Sequence, residues 1–378
     1  MTTSSGSSLA SPRGADGPRA LNFSAGPGLI PEPVLRRVQA DLWDLFGSGI
    51  GIMEHSHRGP EFDRVLAEAE ADARAVAGIP DGYHVLFLQG GATTQCYQVP
   101  MAFLAQDATA DYFLTGKWAS DSIHEARRFG SVHVAAESES TGFDRIPDDT
   151  SVRYSASPTY VQFTSNNTIM GTQWHRMPPP PPGDAWFVCD ASSDIFSRPI
   201  DVTRYGMVYA GGQKNLGPAG TVLVIVRDDV LERQARELPW MLDYKLQAEW
   251  HSRYNTPPTF GIYLIGQTLK WILEQGGLEA MADHNTKKAA IVYDTLDASG
   301  FYTPHARPKD RSQMNATFKC PTPELDAAFI REAHDQGLKN LAGHRSIGGM
   351  RASMYNAFTA AGAETLASFL RDFEARHG

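Results

Sequence analysis

Met207-Val-Tyr-Ala-Gly-Gly-Gln-Lys-Asn-Leu-Gly-Pro-Ala-Gly-Thr-Val-Leu-Val-Ile-Val-Arg227 is the stretch around which the chain is organised. It holds a single lysine, Lys214. The small residues Ala210 to Gly212 precede it, and the turn signal Gly217-Pro-Ala-Gly220 follows it. The apolar run Val222 to Val226 reads as a buried strand. Lys214 therefore sits at a strand end, in a tight bend, between segments that must be buried. An ammonium group is rarely placed there without a partner. Partial burial lowers a lysine pKa and supplies the neutral amine that attacks carbonyls. A lysine that snorkels from a strand end to the surface would give the same local pattern.

Upstream, Trp186-Phe-Val-Cys189 is another short apolar run, and it ends in Asp190. An acid thus closes one strand and a lysine follows the next, 24 residues on. Pyridoxal 5'-phosphate needs that pair: a lysine for the Schiff base and a carboxylate that keeps the pyridine nitrogen protonated. An Asp at a strand end is also a common helix N-cap, so neither residue is diagnostic alone.

The totals bound the class. A chain of 378 residues can bury a large core and form two domains. Hydrophobic residues make up 42% and charged residues 20%, the balance of a soluble globular protein. The net charge of −9 is spread along the chain, which argues against nucleic acid as a partner but not against a local arginine cluster for an anionic substrate. Three scattered cysteines show neither disulfide framework nor zinc spacing and point to a reducing cytoplasm. No apolar run approaches the ~20 residues of a membrane span, and the N-terminus lacks a signal core.

Residues 1–20 are rich in Ser, Gly, Ala and Pro and read as a disordered extension. Val34, Leu35, Val38, Leu42 and Leu45 predict a helix that ends near Gly47. The loop from Gly49 to Pro60 carries His55, His57 and Arg58. No third ligand supports a metal there, whereas Arg58 suits an anion clamp. A strand at His84–Leu88 runs through Gly90-Gly91-Ala92-Thr93 into a helix. Such a turn makes a single-phosphate site from backbone N–H groups. It lacks the endings of a nucleotide loop. Strands also fall at Asp111–Leu114, followed by Trp118, at Ser131–Ala136, and at Tyr160–Phe163, followed by the polar loop Thr164 to Gly171.

Strands alternating with helices from about residue 34 to 230 imply a mostly parallel sheet of seven-stranded type, covered by helices. Ligands of such α/β sheets bind beyond the carboxyl ends of strands. Gly90-Gly91, Trp118, Thr168, Asp190 and Lys214 all fall there. Residues 21–270 are expected to form this large domain, with its first residues free to join the second. Residues 271–378 are expected to form a smaller α+β domain. Within it, Gly343-His344-Arg345-Ser346 repeats the histidine–arginine pairing of His57-Arg58, as if an anion were held between two domains.

The chain resembles the phosphoserine aminotransferases, fold-type I pyridoxal phosphate enzymes of the class-V aminotransferase group. The resemblance rests on Asn22-Phe-Ser-Ala-Gly-Pro27, Ser56-His-Arg-Gly59, Ser165-Asn-Asn-Thr-Ile169, Ser197-Arg-Pro-Ile-Asp201, Tyr209-Ala-Gly-Gly-Gln-Lys-Asn215, Tyr254-Asn-Thr-Pro-Pro258, Gly343-His-Arg-Ser346 and Gly348-Gly-Met-Arg-Ala352. It covers nearly everything from Asn22 onward. It implies that Lys214 holds the cofactor, Asp190 pairs with its ring nitrogen, Trp118 stacks on the ring and Thr168 lies on the ring's hydroxyl side. Ala92, Thr93 and Gln213 would bind the cofactor phosphate. Asn255 and Thr256 would reach that phosphate from a neighbouring subunit, which implies a homodimer with shared sites. His57, Arg58, His344 and Arg345 would hold the substrate carboxylate and phosphate. Some relatives carry an arginine where this chain has Thr93.

The implied reaction is reversible amino transfer between glutamate and 3-phosphohydroxypyruvate, giving phosphoserine and 2-oxoglutarate in serine biosynthesis. Some relatives also serve a step of vitamin B6 synthesis. The rival readings are another class-V enzyme, such as a cysteine desulfurase or a small-amino-acid aminotransferase, and a phosphate-ligand sensor without chemistry. A sensor would need neither Lys214 nor Asp190.

Overall fold

The computed structural model describes residues 19–378. The expected N-terminal extension lies outside the described residues except for Arg19 and Ala20.

The first half alternates as its hydrophobic periodicity requires. β1 (Leu21–Asn22) is followed by α1 (Glu32–Asp41), α2 (Pro60–Ala77), β2 (Tyr83–Gln89), α3 (Gly91–Phe103), β3 (Thr109–Leu114), α4 (Lys117–Ala126) and β4 (Ser131–Glu137). Proline in the first turn opens both α1 and α2, where its missing N–H costs nothing. α1 stops at Asp41, short of the expected end near Gly47. Beyond it the chain folds back, with Leu45 N–H bonded to the Ile50 carbonyl, and Phe46 takes a positive φ of 59°. Leu45 is buried all the same, so its spacing marked the core rather than a helix.

The alternation expected up to residue 230 does not persist. β5 (Pro158–Thr164), the hairpin β6 (Asn166–Asn167) with β7 (Thr172–Gln173), β8 (Trp186–Asp190), β9 (Met207–Gly211) and β10 (Thr221–Arg227) follow with no α-helix between them. The connections are loops and single 3-10 turns. They include the proline run 178–182, which cannot be helical.

Seven strands form the central sheet in the order β2-β10-β9-β8-β5-β3-β4. β9, β8, β5, β3 and β4 pair in parallel, and β10 runs antiparallel to both β9 and β2. Side chains alternate across the sheet. Leu86 and Leu88 of β2, with Val222 and Val224 of β10, face the core under α3 and α4. Val85, Phe87, Leu223 and Ile225 face the opposite core, where α2 packs. A sheet covered on both sides needs apolar residues at every position, which explains the unbroken Val222–Val226 run.

The remainder comprises α5 (Asp228–Leu231), α6 (Tyr244–Glu249), α7 (Thr259–Glu274), α8 (Gly277–Ala298), β11 (Thr303–Pro304), β12 (Asn315–Lys319), α9 (Pro323–Asp335), β13 (Leu338–Lys339), β14 (Met350–Ser353) and α10 (Ala360–His377). α7 lies along α2 on the large sheet. β11, β12 and β14 form an antiparallel sheet with its own apolar core, in which Phe329, Leu366 and Phe369 join Phe23 from the N-terminal segment. β1 pairs in parallel with β13, tying that segment to the C-terminal part. Among the described residues, no helix is long and apolar enough to cross a membrane.

Candidate active site

The carboxyl ends of β8 and β9 and the amino end of α3 converge on one cleft. It is lined by Ala92, Thr93, Trp118, Asp190, Gln213 and Lys214, together with Cys96, Thr164, Asn166, Ser192 and Ser193. Lys214 lies in the turn after β9. Its Nζ donates to Thr168 Oγ1 at 2.8 Å and sits 5.9 Å from the Trp118 ring centroid. Burial lowers the ammonium pKa to about 8; the charge of Asp190 opposes the shift and that of Arg351 adds to it. The free amine, the form that condenses with an aldehyde, is then a minor species at neutral pH and the major one above about 8, far below the range of an ordinary lysine.

The turn is held from three sides. The Gln213 carbonyl accepts from Gly28 N–H at 2.7 Å. Asn215 Nδ2 donates to the Ile195 carbonyl at 3.0 Å, and Asn215 Oδ1 accepts from Asn356 N–H at 3.0 Å. The N-terminal segment is wedged between the turn and the C-terminal part, so that a Cβ on Gly28 would come within 3.3 Å of the Lys214 carbonyl and 2.7 Å of the Tyr355 ring.

Asp190 is buried at 6% exposure. Burial raises its pKa, while hydrogen bonds from Ser192 and the charge of Lys214 lower it. Oδ1 accepts from Ser192 N at 3.0 Å and Ser192 Oγ at 2.6 Å. Oδ2 has no protein partner among the described residues. It is the free acceptor of the pair.

At the other end of the cleft, Gly90 takes a φ of 93° and caps α3 without a side-chain hydrogen bond. A Cβ there would meet Thr94 Oγ1 at 2.0 Å, so only glycine permits the turn. The first N–H groups of a 13-residue helix are left without a side-chain cap, and Gln213 Oε1 and the Trp118 indole N–H are buried without partners. An uncapped helix N-terminus, an unpaired carboxylate oxygen, an aromatic plate and a depressed lysine fit a flat heterocycle carrying a phosphate and an aldehyde.

Of the residues expected to hold substrate, His344 comes near this cleft. Burial and the charges of Arg351, Arg345 and Lys117 lower its pKa, and its Nδ1 lies 2.7 Å from Ser346 Oγ. Arg345 is exposed beside it. His57, Arg58, Asn255 and Thr256 are not among the residues lining the cleft of their own chain. His57 Nε2 is buried without a partner, Arg58 is exposed, and Asn255 lines a separate groove beside Gly90 and Thr94.

Sequence reasoning missed Arg351. It projects from β14, is partly buried, has no carboxylate partner among the described residues, and is close enough for its charge to lower the pKa values of both Lys214 and His344. Its own pKa is lowered by burial. The available signals were a charged residue in the mostly apolar stretch Met350 to Met354 and its place in Gly348-Gly-Met-Arg-Ala352, which carries the family resemblance. The three cysteines are all buried, and burial pushes the Cys96 and Cys320 thiols up to about 12, which removes the nucleophile a desulfurase requires.

The class-V aminotransferase family model matches residues 20–366. A phosphoserine aminotransferase of Herpetosiphon aurantiacus is 51% identical over 358 residues, covering 94% of this chain and 99% of the relative. One of Geobacillus kaustophilus is 46% identical over 95% of this chain and 99% of its own length. The solved phosphoserine aminotransferase of Bacillus circulans subsp. alkalophilus superposes with a TM-score of 0.93 at 44% identity, covering 95% of this chain and 99% of that one. The Trichomonas vaginalis enzyme, crystallised with pyridoxal phosphate bound, gives 0.89 at 33% identity, covering 93% of this chain and all of that one, 100%. The cofactor is therefore pyridoxal phosphate, and the chain belongs to the class-V aminotransferases and, within them, to the phosphoserine aminotransferase family.

Proposed function

We propose that the chain moves an amino group between glutamate and 3-phosphohydroxypyruvate, giving O-phosphoserine and 2-oxoglutarate for serine biosynthesis. The carrying observation is the excess of positive charge at the mouth of the Lys214 cleft. It comes from Arg351 and Arg345, which have no carboxylate partner among the described residues; burial and their charges lower the pKa of His344, which adds no charge near neutral pH, and Lys117 is paired to Asp121 at 2.7 Å. Both amino donors present an α-carboxylate and a second anion at the far end.

When bound, the cofactor supplies the electron sink that makes the substrate Cα–H acidic. The residues of this chain do the rest. Ala92, Thr93 and Gln213 would hold the cofactor phosphate at the start of α3, and Trp118 would pack on the ring. Asp190 Oδ2 would keep the ring nitrogen protonated. Lys214 would carry the proton to and from Cα. Arg351, whose charge reaches Lys214, would take the α-carboxylate. Arg58, His57, Arg345 and His344 take the distal phosphate.

Each removed charge-assisted contact costs ~1.5–3 kcal/mol, which is about tenfold to a hundredfold in kcat/KM. Arg58→Ala and Arg345→Ala are expected to lose that much with phosphoserine. They should lose far less with alanine, which has no distal anion. Equal losses with the two donors would remove the phosphate from the proposal.

Two-chain assembly is supported by the absence of Arg58 and Asn255 from the lining of their own chain's cleft. Trp43 (86% exposed) and Met53 (66%) lead into His57-Arg58, and Trp240 (68%) and Trp250 (47%) precede Asn255-Thr256. Such apolar exposure suits an interface. We assign it to a homodimer in which His57, Arg58, Asn255 and Thr256 complete the partner's site. Mixing a Lys214 variant with an Asn255/Thr256 double variant should then restore activity once subunits exchange, because each hybrid holds one intact site. Absence of recovery after demonstrated exchange would return Asn255 and Thr256 to their own chain's site.

A further inference from the structure

We infer that Lys288, on α8, is a positioning residue for the reaction: it keys a ladder of three buried asparagines that fixes the Lys214 turn against the turn that follows Asp190. This rests on the roles proposed for Lys214 and Asp190.

The ladder meets three successive carbonyls in the turn after β8. Ile195 O accepts from Asn215 Nδ2 at 3.0 Å, Phe196 O from Asn356 Nδ2 at 2.9 Å and Ser197 O from Asn285 Nδ2 at 2.9 Å. The three donors come from the Lys214 turn, the segment after β14 and α8. They are also joined to one another. Asn285 Nδ2 donates to Asn356 Oδ1 at 2.9 Å, and Asn356 N–H donates to Asn215 Oδ1 at 3.0 Å. The turn they grip supplies Ser192, whose N–H and hydroxyl hold Asp190 Oδ1. Phe196, in its middle, has a φ of 55°, a left-handed conformation that a phenylalanine keeps only when its surroundings impose it.

Lys288 stands at the far end of the ladder. Its neighbour Lys287 is exposed and paired with Asp283 at 2.6 Å, whereas Lys288 is fully buried. Its Nζ donates to Asn285 Oδ1 at 2.7 Å and to the Tyr355 carbonyl at 2.8 Å, and no carboxylate pairs with it among the described residues. Asn285 lies one helical turn earlier on the same face. An amide side chain has a donor end and an acceptor end. With Lys288 on its Oδ1, Asn285 must turn Nδ2 toward Ser197 and Asn356, and Asn356 must then turn its own Nδ2 toward Phe196. Without Lys288 the Asn285 amide can reverse, which sets oxygen against the Ser197 carbonyl and Asn356 Oδ1. Burial lowers the Lys288 pKa with no charge to offset it. A group so costly to bury contributes through its two hydrogen bonds.

The test is Lys288→Met, close in length but without a donor. Val292→Ala is the packing control, since Val292 is buried one turn further along α8 in the apolar core of the C-terminal part. Both should lower the melting temperature. Well below that temperature, only Lys288→Met should slow capture of pyridoxal phosphate by the apoprotein about tenfold and lower kcat of the loaded enzyme about tenfold. It should also weaken the visible circular dichroism of the bound cofactor, which reports how the ring is held. Asn356→Ala removes the middle of the ladder and should behave alike, and it decides by the same readouts if Lys288→Met yields no folded protein. The double variant should be no slower than the slower single one, because both act through one chain of contacts. Capture and dichroism like the parent's in Lys288→Met, or losses that multiply in the double variant, would overturn the inference. Lys214→Ala separates the two levels. Parent-like capture there would sink the Lys214 assignment and this inference with it; parent-like capture in Lys288→Met alone sinks only the inference.

Discussion

Replacing Lys214 by alanine should abolish turnover, lowering kcat by more than about 10⁴-fold, while the melting temperature of the protein hardly moves. General-base function alone is worth about 10²–10⁴-fold, and loss of the covalent tether to the cofactor adds to it. The fold is spared because Lys214 contributes one hydrogen bond, to Thr168, and is relieved of a burial penalty. The neighbouring Asn215 keeps the turn in place through Ile195 and Asn356. The pKa of about 8 adds a sign. A lysine whose pKa is lowered by burial is protonated below that value and free above it. Capture of pyridoxal phosphate by the apoprotein should therefore quicken as pH rises and level off beyond about 8, and Lys214→Ala should show no such rise. Steady-state transamination at near-parent rate in the alanine variant would sink the assignment of Lys214 as the chemical centre.

Much of this cleft was legible because a parallel sheet turns a one-dimensional pattern into a place. An apolar run gives the strand, and the first polar residue after it falls on the ligand edge. Asp190, Thr168, Trp118 and the Gly90-Gly91 turn could all be read that way. Direction at that edge could not. Whether Ser165 or Asn166 enters the cleft depends on pleat parity at the end of β5; Ser192 and Ser193 lie in the turn after β8 and Cys96 on α3, where no strand pattern marks them. Arg351 was invisible in another sense. It lies on a strand of a different sheet and meets Lys214 only through the packing of the C-terminal part on the large one. The helix-free run from β5 to β9 was misread because periodicity over short polar loops cannot tell a crossover helix from a chain held by side-chain hydrogen bonds. Here Asn166 Nδ2 donates to Ser193 Oγ and to Asn315 Oδ1, each at 2.8 Å, fixing the loop without a helix.

Asp190→Asn should leave the cofactor bound and slow Cα proton transfer by about 10²–10⁴-fold, the range that a positioned proton carrier commands. The substitution is isosteric, so Ser192 can still donate to the oxygen that replaces Oδ1, and the β8 end keeps its hydrogen bonds. What changes is the atom at Oδ2. A carboxylate oxygen accepts from a protonated ring nitrogen; an amide nitrogen in its place donates, and so requires that the ring nitrogen be unprotonated. The contact survives with its polarity reversed, which is why binding should hold while the electron sink fails. The environment favours the change in one respect. Burial already pushes the Asp190 carboxyl upward, so the neutral amide escapes a desolvation cost that the carboxylate bears until the ring cation pairs with it. Stability of the apoprotein should accordingly be equal or slightly higher in the variant. Single-turnover reaction of the loaded enzyme with phosphoserine, followed by the cofactor's absorbance, separates the outcomes. Loss of the absorbance would mean that Asp190 anchors the cofactor rather than tuning it. A rate within tenfold of the parent would mean that some other group protonates the ring, and the 24-residue spacing of acid and lysine would lose its chemical meaning.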